Sequence, residues 1–103
     1  MLSAIGELTL RTSSANLRRS VEPVPGTLTL TTTHLRFVPS GGLVQGGKLT
    51  VPLADIERVE LGSSLWVIPN QLVVVRKNGA RHALVVADRD GWAAAVRSAK
   101  MRT

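Results

Sequence analysis

The chain of 103 residues contains no cysteine. That excludes a disulfide framework, a thiolate metal site and a thiol nucleophile. Aromatic residues are almost missing too, since Phe37, Trp66 and Trp92 are the whole set. Readers of single-stranded nucleic acid stack bases on exposed aromatic rings. Phe37 and Trp92 fall in apolar stripes, which leaves Trp66 alone for that role and disfavours nucleic acid as a partner. No unbroken apolar run approaches the length of about 18 residues that a membrane-spanning helix requires. The opening MLSAIGELTLRT lacks the basic start and continuous apolar stretch of a secretory signal, so the expected address is cytoplasmic.

Acidic residues are scarce beside basic ones. Thirteen Lys and Arg face seven Asp and Glu, for a net charge of +6. Such a balance suits anionic partners: lipid headgroups, nucleic acid or an acidic protein face. The excess is not gathered into an arm, because residues 1–50 and 51–103 each carry +3. Ten of the cations are arginine, the better bidentate phosphate ligand. An arginine-rich surface that serves solubility alone is the plain alternative.

Apolar residues make up 44% of the chain, too many for a disordered segment. The length suits one domain over residues 1–103, with one core. Short apolar runs of period two fill the first 86 residues and predict about seven strands. Ile5 to Arg11 reads as the first, with Leu8 and Leu10 on one face, and residues 12–20 either extend it or form a loop. Pro23, Pro25 and Gly26 mark a break. Thr27 to Thr31 points Leu28 and Leu30 inward. After a turn at Thr31–Thr33, the strand from His34 to Val38 points Leu35 and Phe37 inward and Arg36 outward. A glycine-rich loop follows Pro39. Leu49, Val51 and Leu53 share the next inward face, and Ile56 and Val59 anchor the strand from Ala54 to Leu61. Leu65–Ile68 and Leu72–Arg76 are further strands, separated by Pro69-Asn70.

Asn78-Gly79 predicts a two-residue type I′ hairpin. Counting outward from it sets Lys77 opposite Ala80, Arg76 opposite Arg81, Val75 opposite His82 and Val74 opposite Ala83. Leu72, Val74, Ala83 and Val85 then face one way, and Val73, Val75, Leu84 and Val86 the other. Both faces are apolar, so the second requires cover from the closing helix or from another subunit. That helix is predicted over about 89–101, capped by Asp88, with Trp92, Ala95, Val96 and Ala99 as its buried stripe.

Gly26-Thr-Leu-Thr-Leu-Thr, His34-Leu-Arg-Phe-Val-Pro39 and Leu49-Thr-Val-Pro-Leu-Ala-Asp-Ile56 together resemble the GRAM and pleckstrin-homology-like group. Val59, Asn78-Gly79, Ala83–Val86 and Trp92 fit its later segments, so the likeness runs from about Glu7 to Lys100. The resemblance implies a mainly β, partly open barrel of about seven antiparallel strands capped by a helix. It implies no enzyme and no cofactor, but binding to membrane lipid or to protein. The basic cluster that phosphoinositide-binding members carry around the first two strands is thin here, with Arg11, Arg18 and Arg19 alone.

Two sets of cations are candidates for an anion site. Arg76 and Arg81, placed opposite each other, would repel by up to about 1 kcal/mol unless an anion or solvent screens them, and Lys77 adjoins them at the tip. Arg18, Arg19 and Arg36 form the second set, provided that adjacent strands bring them together. For each set the alternative is an exposed charged surface. The partner is thus an anionic lipid, met peripherally, or a protein. A second alternative is self-association through the apolar face of the 72–86 hairpin.

Other motifs fail on context. Gly42, Gly47 and Lys48 have nucleotide-loop spacing, but Leu49 stands where Ser or Thr must hold magnesium, and a strand with Pro52 follows where a helix is required. His34 and His82 have no neighbours at metal-ligand spacing. Asp55, Glu57 and Glu60 cluster without a partner for acid–base work, and Ser63-Ser64 lacks the glycine context of a nucleophile elbow.

Overall fold

The computed structural model describes residues 7–18, 23–40, 48–64 and 68–102. Seven strands run in the order β1 (Thr9–Arg18), β2 (Pro23–Thr31), β3 (His34–Pro39), β4 (Leu49–Pro52), β5 (Ile56–Ser64), β6 (Ile68–Arg76) and β7 (Arg81–Val85). A short 3-10 turn, Leu53–Asp55, leads into β5, and helix α1 (Arg89–Met101) closes the chain. The strands make one antiparallel sheet in the order β4-β3-β2-β1-β7-β6-β5. It is not closed: β4 and β5 are its two edges, and α1 packs over β5, β6 and the 3-10 turn.

The alternation read in β2, β3 and β4 places their inward residues in the core. Leu28, Leu30, Leu35, Phe37, Val51 and Leu53 are buried, with Leu49 packed against them. Each such side chain contributes about 2 kcal/mol by leaving water, before conformational entropy opposes it. Trp92, Ala93, Val96 and Ala99 are the buried stripe of α1, with Ala95 partly covered. The Trp92 indole N–H finds the Ser13 hydroxyl at 3.0 Å, so its one polar atom is satisfied inside the core. Asp88 caps the helix as expected, its side chain accepting the Gly91 N–H at 3.1 Å.

Several boundaries differ from the sequence reading. The first strand begins at Thr9 and continues to Arg18, so residues 12–18 are strand; Ile5 lies outside the described residues. Its inward residues are Ala15 and Leu17, whereas Leu8 and Leu10 are exposed: Leu10 lies an odd number of positions from both and so alternates to the other face, and Leu8 precedes the strand. Pro23 and Pro25 do not break β2. The β2–β3 ladder ends at Gly26–Pro39, so Pro25 needs no N–H toward β3, and its carbonyl accepts from Ser40. Pro69-Asn70 likewise lies inside β6, at an irregularity in its pairing with β5 between the Ser64–Ile68 and Gly62–Gln71 pairs. Residues 65–67, and with them most of the strand expected at Leu65–Ile68, lie outside the described residues.

The hairpin register is one residue away from the expected one. Gly79 N–H bonds to Arg76 carbonyl at 2.9 Å, and Arg76 N–H bonds to Ala80 carbonyl at 2.8 Å. Gly79 holds φ +93°. The connection is therefore a three-residue loop, a turn followed by a glycine bulge, not a two-residue type I′ turn. Val75 pairs with Arg81, Val74 with His82, Val73 with Ala83 and Leu72 with Leu84. A slip of one residue exchanges the faces of a strand. The core face of the hairpin is thus Leu72, Val74, Leu84 and Val86, and the outer face is Val73, Val75, Ala83 and Val85.

Candidate functional site

The outer face of β5, β6 and β7 is built by the register just described. Arg58 and Glu60 of β5 stand beside Val75 and Val73 of β6, which stand beside Arg81 and Ala83 of β7. Glu60 accepts from Arg58 at 2.7 Å and from Arg81 at 2.6 Å. This ion-paired arch spans β6, and Val75 beneath it is only 5% exposed although it stands outside the core cluster. The chain's own charges thus provide cover on the second apolar face, by laying long side-chain stems over it. The two arginines, Arg81 first, hold the Glu60 carboxyl below its ordinary range.

Arg76 and Arg81 are not opposed, because the one-residue slip sends them to opposite faces. Arg76 lies across from Ile56 and donates to Asp55 at 3.1 Å. The Asp55 carbonyl also accepts the Lys77 N–H at 2.8 Å, which ties the hairpin tip to the start of β5. Asp55, Arg76, Lys77 and Asn78 enclose a cavity of about 170 Å³. Lys77 is exposed.

Arg18 and Arg36 do not converge. Arg18 ends β1 opposite Pro23, whereas Arg36 is registered through Thr29 to Thr12, six positions back along β1. At about 3.3 Å per residue that is roughly 20 Å. Arg36 is engaged elsewhere: it donates to Glu7 at 2.5 Å, and Glu7 accepts also from the buried Thr31 hydroxyl at 2.6 Å. These hydrogen bonds, Arg36 first, hold the Glu7 carboxyl down at about 2. Arg19 lies outside the described residues.

Arg18 has a different neighbour. β1 pairs with β7 at Asn16–Val85 and Leu17–Leu84, antiparallel. The end of β1 and the start of β7 therefore lie at the same end of the sheet. Alternation sets Arg18 on the same outer face as Asn16, Val85 and Arg81. The structure brings Arg18, Lys77 and Arg81 to one end, leaves Arg76 on the inner side of the hairpin, and keeps Arg36 apart.

Sequence reasoning missed a further set of cations. Arg97 donates to the Val59 carbonyl at 2.8 Å and Arg89 to the Gly62 carbonyl at 2.9 Å. Both carbonyls belong to β5, an edge strand. Arg97 and Lys100, in the last turns of α1, line the same surface as Arg58. The signal was present in the period of the helix, where Arg97 and Lys100 follow the buried Val96 and precede or flank Ala99; what it lacked was the identity of the strand alongside.

Arg11 lies 5.1 Å from the Trp92 ring centre and donates to Asp88 at 2.7 Å, so it braces the helix start against β1. His34 has its Nδ1 2.7 Å from the Thr33 hydroxyl. Among the described residues no group of three His, Cys, Asp or Glu is placed to hold a metal ion. The glycine loop of residues 41–47 and Trp66 lie outside the described residues; Leu49 opens a strand, not a helix.

The chain belongs to the GRAM domain family, whose pattern it matches over residues 3–85. Its fold is that of pleckstrin-homology domains, a group whose members bind lipids or proteins. The C-terminal domain of a Leishmania infantum protein superposes with a TM-score of 0.81 at 18% identity, over 97% of this chain and 90% of that one. The Vps36 N-terminal PH domain gives 0.73 at 17% identity, over 95% and 82%. The Slm1 PH domain, solved with inositol-4-phosphate, gives 0.64 at 14% identity, over 92% and 97%. No curated protein matches the chain in sequence. Among the described residues no helix is long and apolar enough to cross a membrane.

Proposed function

We propose that this chain is a non-catalytic module that docks peripherally on an anionic membrane surface. The observation that carries the reading is the gathering of Arg18, Lys77 and Arg81 at the end of the sheet where β1 finishes and β7 starts. Arg76 and Arg36, engaged by Asp55 and Glu7, take no direct part in it. The inositol-4-phosphate bound to the similarly folded Slm1 domain favours phosphorylated headgroups as part of the target. Each basic residue near an anionic leaflet is worth about 1 kcal/mol, so three give modest, salt-sensitive affinity.

Co-sedimentation with phosphatidylserine-containing vesicles tests this. Binding is expected at low salt and falls steeply as salt rises. Arg18→Glu with Lys77→Glu, both exposed positions, abolishes it without altering the melting temperature. Failure of the wild-type chain to sediment with anionic vesicles at low salt sinks the proposal.

A further inference from the structure

The edge strand β5 and the last turns of α1 enclose a groove of about 420 Å³. Glu57, Arg58, Val59, Arg97, Lys100 and Met101 line it. Its volume falls in the range of ligand-binding clefts, about 300–1,000 Å³. Val59 belongs to the core cluster and sits recessed, 6% exposed, while Met101 stands at the rim, 86% exposed. Three cations and the Glu57 carboxylate surround these apolar groups, Arg58 being paired also with Glu60 on the outer face of the sheet. Arg97 donates to a neutral carbonyl, so that bond leaves its charge uncompensated.

We propose that this groove takes an acidic peptide segment of a protein partner, one apolar side chain resting against Val59 and Met101 while flanking carboxylates face Arg58, Arg97 and Lys100. Charge complementarity selects an acidic partner over a basic or neutral one. Addition of the segment as an eighth strand is disfavoured, because Arg97 and Arg89 already occupy the Val59 and Gly62 carbonyls of the β5 edge. Recognition therefore runs through side chains. A lipid surface fits the geometry less well, since a planar headgroup layer reaches the projecting Met101 but not the recessed Val59. Cations in a helix's last turn also offset its dipole; that role explains the charges but not the apolar floor between them.

The test is selection of a displayed library of random linear peptides on the purified chain, with enriched peptides remade, fluorescein-labelled and titrated by anisotropy. The expected result is enrichment of acidic sequences with an apolar anchor. Their affinity for a Lys100→Glu, Met101→Asp variant falls by about tenfold or more. Thermal melting establishes that this variant folds. Binding of the same peptides to the Arg18→Glu, Lys77→Glu variant stays within about twofold, which separates this groove from the lipid-facing end. The proposal is overturned by absence of enrichment, by enriched peptides of basic or neutral composition, or by equal binding to wild type and the Lys100/Met101 variant. It is also overturned if that variant loses anionic-vesicle binding while the wild type binds no peptide, which assigns the groove to the membrane.

Discussion

Arg36 donates to Glu7 at 2.5 Å across 29 positions of sequence, and this contact fastens the segment before β1 to the middle of β3. Thr31, buried at the end of β2, donates to the same carboxylate. The carboxyl is held near 2, from an ordinary 4.5, chiefly by the Arg36 hydrogen bond. A depressed folded-state value means that the unfolded chain binds the proton more readily. The stabilisation is therefore complete above 4.5 and is lost as pH falls toward 2. Melting temperatures of wild type and Glu7→Gln, compared across that interval, should differ most at its upper end and converge at its lower end. A constant difference would show that Glu7 acts through shape and not charge.

Gly26 sits where β2 meets the end of β3 with no room for a side chain. A Cβ there would strike the Val38 carbonyl oxygen, and would lie 2.6 Å from the Phe37 ring and 2.9 Å from the Pro39 Cα. Two of these three neighbours are backbone of β3, which cannot swing aside. Gly26→Ala is expected to cost about 1–3 kcal/mol, the usual range for overpacking. For a domain of this size each kcal/mol lowers the melting temperature by about 4–8 °C. Urea unfolding monitored by circular dichroism checks it.

Gly79 tests the hairpin. Open space surrounds its Cβ position, so a substitution there feels backbone conformation alone, at φ +93°. Gly79→Ala should cost about 1–2 kcal/mol, the penalty for a left-handed L-residue. Asn78→Ala should cost less than Gly79→Ala, since it loses only the Ala80 N–H contact to the Asn78 side chain at 2.9 Å. In a two-residue type I′ turn both positions would need positive φ, and both substitutions would be comparably costly. Equal losses at the two positions would therefore return the hairpin to that register.

The same turn shows where sequence stops determining the fold. Alternation in β2, β3 and β4 is unambiguous because each inward leucine has polar neighbours, and Asp88 followed by the Trp92 stripe defines a helix start. The 72–86 hairpin is apolar on both faces, so its pattern does not choose a register. Asn-Gly serves two-residue and three-residue loops alike, and the choice lies in the Arg76–Ala80 hydrogen bond. The candidate site inherited that ambiguity. Placing Arg81 beside Val75, not opposite Arg76, gives it Glu60 as a partner, and no local pattern announces a pair that spans a strand. Leu8 and Leu10 misled for a different reason: the strand extends past them to Arg18, and its inward phase is set by Ala15 and Leu17, from which Leu10 lies an odd number of positions away.

Glu60→Gln joins stability to the proposed membrane role, and its two consequences have opposite signs. The carboxylate bonds Arg58 and Arg81, both more than half exposed. Pairs so open to solvent contribute little, so the loss of the arch should lower stability only slightly, with Val75 gaining some exposure. Removing one negative charge beside Arg81 makes the proposed lipid-facing end more positive and frees the guanidinium for a headgroup. Vesicle affinity should therefore rise by severalfold at low salt, the increment shrinking as salt screens it. Arg81→Gln should do the reverse, weakening vesicle binding while leaving the Arg58–Glu60 pair in place. Co-sedimentation of both variants across a salt series decides the matter: if Glu60→Gln binds no better than wild type, Arg81 does not face the membrane.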